Sequence, residues 1–153
     1  MNTVYQKNFR VRFETAKLLS YVGYDIPCNY HYNKNGELCP NSIKINSQNF
    51  IYSDDLDFDY NSGDNSETRY SAPLVAEVIN WLFIEKSIIF NYHTDLSNSS
   101  KHEIKCYVFD RQGNINMQPI ATISLMGDNM VICEEEAAYM CLVYLQKTID
   151  KEQ

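Results

Sequence analysis

Two helix-period stripes enclose three strand-period runs in the second half of the chain, and that order leaves few folds open. Leu74, Val75, Val78, Ile79 and Leu82 recur at the three- and four-residue steps of a helix, with Trp81 at the margin of the stripe. Ser71 is placed to cap this helix, and Pro73 suits its first turn. A last helix is expected over residues 134–149, where Ala138, Leu142, Leu145 and Ile149 step by four, three and four. Glu134, Glu135 and Glu136 are expected in its first turn and Lys147 in its last, both favourable to the helix dipole. Between the two stripes, residues 88–93, 104–109 and 120–125 read as strands. Alternation sets Ile104, Cys106 and Val108 on one face of the middle strand, opposite Lys105, Tyr107 and Phe109. Ala121, Ile123 and Leu125 face the core from the last strand.

The first half adds one helix and one hairpin. Phe13, Ala16 and Leu19, widened by Leu18 and Tyr21, predict a helix over residues 12–22 that ends at Gly23, a residue suited to a left-handed C-terminus. Residues 28–32 alternate like a strand, Asn33-Lys34-Asn35-Gly36 supplies the turn, and Glu37-Leu38-Cys39 returns across it. The order helix, two strands, helix, three strands, helix predicts a single α+β domain over residues 1–153. Its sheet is mainly antiparallel, a three-stranded meander plus an N-terminal hairpin, packed by about three helices. At 153 residues the chain is long enough to bury about 68–70% of its unfolded surface.

The charge is concentrated. Asp54, Asp55, Asp57, Asp59, Asp64 and Glu67 fall within a stretch that holds no Lys or Arg, inside a long acidic loop expected over residues 40–69. Removing those six charges takes the net charge from −7 to −1, so the rest of the chain is almost neutral. A short strand at residues 43–45 is the one element expected inside that loop. Asp57, Asp59 and Asn61 have the 1, 3, 5 spacing of an oxygen-ligand loop, with Asp55 and Asp64 flanking them. Counted from Asp57, Gly63 is the seventh position and Thr68 the twelfth, where an EF-hand needs glycine at the sixth and glutamate at the twelfth. These five residues are a candidate calcium or magnesium site only outside that motif, and a cation-binding module or metal-dependent enzyme is the alternative function.

Other chemistry is thin. Cys28, His31 and Cys39 supply three zinc-type ligands without the paired short spacing of a structural site. Cys133 is expected just before the last helix, yet three glutamates follow it and oppose a thiolate. No Gly-x-Ser-x-Gly, His-Glu-x-x-His or glycine-rich phosphate loop occurs, which disfavours an enzyme and leaves no expected cofactor. The α-β-β-β-α order of the second half resembles a double-stranded-RNA-binding domain. The family's basic cluster at the last helix is here Glu134-Glu135-Glu136, which repels phosphate, so nucleic acid is not the expected partner. The first residues lack an apolar leader core and no run is long enough to span a bilayer, so a cytoplasmic location with free thiols is expected.

Three stretches carry a family likeness: Phe13-Glu14-Thr15-Ala16-Lys17-Leu18-Leu19 with Gly23-Tyr24-Asp25-Ile26-Pro27-Cys28; Tyr70-Ser71-Ala72-Pro73 with Ala76-Glu77 and Trp81-Leu82; and Glu135-Glu136-Ala137. With these the chain resembles a group of small uncharacterised proteins encoded by gut Bacteroidetes and their phages or mobile elements. The resemblance implies a genomic setting and transfers no catalytic residue. Abundant Tyr and Asn suit adaptable contacts, and the expected function is a non-enzymatic protein-interaction or accessory role. Tyr30, Tyr32, Phe58 and Tyr60 are the candidate exposed contact residues.

Overall fold

The computed structural model describes residues 9–40, 44–45, 51–52, 68–95, 101–126 and 130–153. Its elements are α1 (Phe13–Tyr21), β1 (Tyr30–Asn33), β2 (Leu38–Pro40), β3 (Lys44–Ile45), β4 (Ile51–Tyr52), β5 (Arg69–Ser71), α2 (Val75–Lys86), β6 (Ile88–Asp95), β7 (Lys101–Val108), β8 (Ala121–Met126) and α3 (Met130–Glu152). Every strand pairing among them is antiparallel, in two three-stranded sheets ordered β2-β1-β5 and β6-β7-β8 and the small β3-β4 hairpin. The α+β class, the meander, the N-terminal hairpin and three helices are as the sequence predicts. The described residues pack as two compact units, one within 10–73 and one within 74–153 together with Phe9.

In the first unit the local grammar is followed closely. Gly23 takes φ of +85°, and the N–H groups of Gly23 and Tyr24 donate to the carbonyls of Ser20 and Leu19, a Schellman closure of α1. The helix buries Thr15, Ala16 and Leu19, while Tyr21 is exposed and does not widen the face. The β1–β2 turn is held by Asn33, whose Oδ1 accepts from the N–H groups of Asn35 and Glu37. Phe13 lies over Gly36 and meets the rings of Tyr32 and Tyr70 at 5.5 and 5.8 Å. The central strand is β1, because β5 adds to its far side with Tyr70 opposite Tyr32. Sequence reasoning missed β5: three residues are too few to show a period, and Ser71 read as a helix cap. Ser71 is instead a buried strand residue.

In the second unit α3 packs on β7 and β8, and α2 packs on β6 and α3, so both helices cover one face of the meander. Ile104 and Cys106 on β7, Ala121 on β8 and Ile88 on β6 point into that interface. The N-cap of α2 is Leu74, whose N–H donates to Glu77 at 2.8 Å. Leucine offers no oxygen in return, so this is half of a capping box. Val75, Val78, Trp81 and Leu82 are buried; Trp81, expected at the margin, is part of the core. Helix α3 begins before Cys133, and the three glutamates stand beyond its first turn. Its fully buried seam is Cys133, Ala137, Ala138, Cys141 and Leu142, with Leu145 and Ile149 half-buried. The turn after β7 is built by Asp110, whose carboxylate accepts from the N–H groups of Gln112 and Asn114 and from the Asn114 amide.

Two glycines in positive-φ turns separate backbone strain from packing. A Cβ at Gly36 would stand 2.9 Å from the Phe13 ring, whereas one at Gly23 would meet nothing within 4 Å. Gly23→Ala is expected to cost about 1–2 kcal/mol from the left-handed conformation alone, and Gly36→Ala more, as measured by urea unfolding. Equal losses would show that Phe13 yields freely.

Candidate functional site

The strongest site geometry lies in the second unit, where α2 runs beside β6. Because α2 is apolar on more than one face, it carries a second stripe, Ala76, Ile79 and Phe83, next to its buried one. That stripe, with Asn80, forms one wall of a groove of about 410 Å³. Ile88, Ile89, Phe90 and Tyr92 of β6 form the other wall, and Glu134 of α3 closes one end. Phe83 is 47% exposed and its ring lies 5.2 Å from that of Phe109. Ile84, the next residue on the helix, is 61% exposed.

The polar end of the groove is a single interaction. The Tyr92 hydroxyl donates to the Glu134 carboxylate at 2.8 Å and ties the edge strand to α3. Partial burial, reinforced by the hydrogen bond to Glu134 and its charge, raises the Tyr92 pKa well above the ordinary tyrosine value. The phenol therefore keeps its proton and serves as a donor. Apolar walls with one anionic carboxylate suit an apolar side chain or an extended backbone.

The thiols are chemically quiet. Cys106 and Cys141 are fully buried and share a hydrogen bond, which with burial raises the Cys141 pKa. Cys133, also buried, has its pKa raised by burial first and then by the charge of Glu134. Its expected position ahead of the helix is corrected: it lies within α3, inside the seam. Cys39, in the hairpin, is half-exposed.

The sequence candidates fare unevenly. Asp55, Asp57, Asp59, Asn61 and Asp64, and with them Phe58 and Tyr60, lie outside the described residues. Within the expected 40–69 loop, Lys44–Ile45 and Ile51–Tyr52 pair as a hairpin. Tyr30 and Tyr32, expected to be exposed, are half-buried. The Arg10 guanidinium lies 4.1 Å over the Tyr30 ring, and the Tyr32 hydroxyl donates to the Val11 carbonyl at 2.8 Å. His31 is buried. It stands opposite Cys39, which leaves Cys28 beyond the end of the strand pairing. Among the described residues no three His, Cys, Asp or Glu side chains group as metal ligands, and no helix is long and apolar enough to cross a membrane.

Sequence reasoning missed the Tyr92–Glu134 pair and the groove above it. The signal was present in parity, since Tyr92 shares the face of Ile88 and Phe90 and so turns its phenol toward the helices. Comparison with family models, curated proteins and solved structures finds no match to this chain.

Two solution measurements follow, one from the burial of the thiols and one from the Tyr92 proton. Native alkylation with iodoacetamide is expected to modify Cys39 first and to reach Cys106, Cys133 and Cys141 only after unfolding, as mapped by mass spectrometry. Rapid native labelling of Cys133 would contradict its place in the seam. For Tyr92 the folded state holds the phenolic proton more tightly than the unfolded chain does. Its contribution to stability is complete below the unfolded value of about 10 and is lost as pH rises through the higher folded value. Alkaline titration at 295 nm is expected to show a late-ionising tyrosine that Tyr92→Phe removes.

Proposed function

We propose that the chain is a non-enzymatic protein-interaction module whose working surface is the groove between α2 and β6. One observation carries this reading: an apolar groove runs along β6, which is an edge strand among the described residues, and is closed by a single acidic residue. Apolar side chains such as Phe83 and Ile84 left in solvent beside a strand edge mark contact surfaces more often than catalytic ones. The buried, protonated thiols and the donor role of Tyr92 provide no activated nucleophile in the same place. The biological setting follows the sequence resemblance, an accessory factor of a phage or mobile element acting on a protein in the cytoplasm.

Peptide display against the wild type is expected to enrich segments with apolar residues at alternate positions. Phe83→Glu is expected to weaken their binding at least tenfold, an effect of about 1.4 kcal/mol or more, with an unchanged circular dichroism spectrum. Equal binding by the variant and the wild type would remove the groove from the function.

A further inference from the structure

The one charge in the groove decides what can fill it. Of the residues that line it, only Glu134 carries a charge at neutral pH, and it is half-buried at the end next to Tyr92. The Tyr92 hydroxyl donates to Oε2 at 2.8 Å and holds the carboxylate in one direction. That partner is neutral and keeps its proton. A carboxylate has about four acceptor sites on its two oxygens, so Glu134 can take a second donor without losing Tyr92.

Among the described residues, no Lys or Arg pairs with Glu134. The elements that bound the groove are poorly placed to supply one. On α2 the only cation is Lys86, whose nitrogen lies 5.0 Å from the Trp81 ring centroid. β6 has neither Lys nor Arg. On α3, Lys147 and Lys151 are about 20 Å or more along the helix from Glu134. Lys105 on β7 pairs with Glu103 at 3.4 Å, and alternation puts both on the face opposite the buried Ile104. The residues that follow Glu134 are Glu135 and Glu136, of the same sign.

Charge therefore separates the classes of occupant. A wholly apolar segment that fills the groove strips water from the carboxylate and gives nothing in exchange, which is costly. An acidic segment is repelled. A basic group at the end of an apolar segment gives the carboxylate a charge-assisted hydrogen bond in place of water. Resting on the groove reading above, we infer that the partner is a protein segment that lays apolar side chains against Ile79 and Phe83 and sets a lysine or arginine against Glu134. From Ile88 to Tyr92 the strand covers about 13 Å, so in an extended segment the basic residue stands about four positions from the outermost apolar one. Tyr92 is the positioning residue of this site, because its hydroxyl aims the carboxylate.

Fluorescence anisotropy with the display-selected peptides tests this pairing. The peptides are expected to carry a lysine or arginine at one end of the apolar pattern. Replacing that residue by methionine is expected to weaken binding to the wild type about tenfold or more. Glu134→Gln keeps an oxygen that accepts from Tyr92. It is expected to weaken the parent peptide to the same extent, and to bind the methionine peptide no worse than the wild type does. Added salt is expected to weaken the parent peptide more on the wild type than on Glu134→Gln. Selected peptides without a basic residue overturn the inference, and so do peptide and protein losses that simply add. The methionine replacement leaves the protein untouched, so even if Glu134→Gln folds poorly, a replacement that costs nothing overturns the inference by itself. If Phe83→Ala, which adds no charge, still weakens binding in that case, the groove reading stands and only the charge pairing falls. If Phe83→Ala binds like the wild type, or no peptide is selected, both fall.

Discussion

The close approach of α3 to the middle of its sheet is the constraint on which the second unit depends. The helix presents Cys133, Ala137, Ala138, Cys141 and Leu142 to a sheet whose centre is Ile104 and Cys106, and all seven are fully buried. Alanine and cysteine dominate on the helix side, so its backbone can settle near the strands. Enlarging one of these side chains would force the helix outward at a typical cost of about 1–3 kcal/mol. The Cys141–Cys106 hydrogen bond joins two thiols that water cannot reach, and with burial it raises the Cys141 pKa.

The groove is a consequence of that seam. With α3 held down, Glu134 comes within reach of Tyr92, and the hydrogen bond between them fixes the end of the edge strand. Helix α2 faces the core with Val75, Val78 and Leu82, which leaves Ile79 and Phe83 on the flank toward β6. Ser87 sits at the joint with φ of +55°, an uncommon conformation for a residue with a side chain. It lets the chain leave the helix and enter β6 at once, so that helix and strand lie side by side with a narrow apolar trough between them.

Much of this architecture was legible because periodicity and turn chemistry agreed. The alternation in 104–109 assigned Ile104 and Cys106 to the buried face, and Gly23 and Gly36 marked the turns where the chain needs positive φ. What escaped was set by partners distant in sequence. Strand β5 has three residues and exists because β1 offers it an edge. The start of α3 was misplaced because Met130, Val131 and Ile132 show no spacing of their own, and that error put Cys133 at a helix end and hid Glu134 from Tyr92. Tyr30 and Tyr32 looked like surface contacts because tyrosine often is one; their engagement by Arg10 and Val11 is tertiary. The acidic candidates from Asp55 to Asp64 illustrate a different gap, since local spacing proposes ligands and only convergence in space makes a site.

The order of the elements along the chain has a consequence for biosynthesis. Strands β6, β7 and β8 are neighbours in sequence and pair through local hairpins, so the meander can form early. The helix that seals its apolar face comes after all of them. At about 5–20 residues per second, the ribosome needs on the order of a few seconds to add α3. Throughout that interval Ile104 and Cys106 lack the cover of α3, and the nascent chain shows the β7–β8 part of its sheet to whatever chaperone or sister chain is nearby.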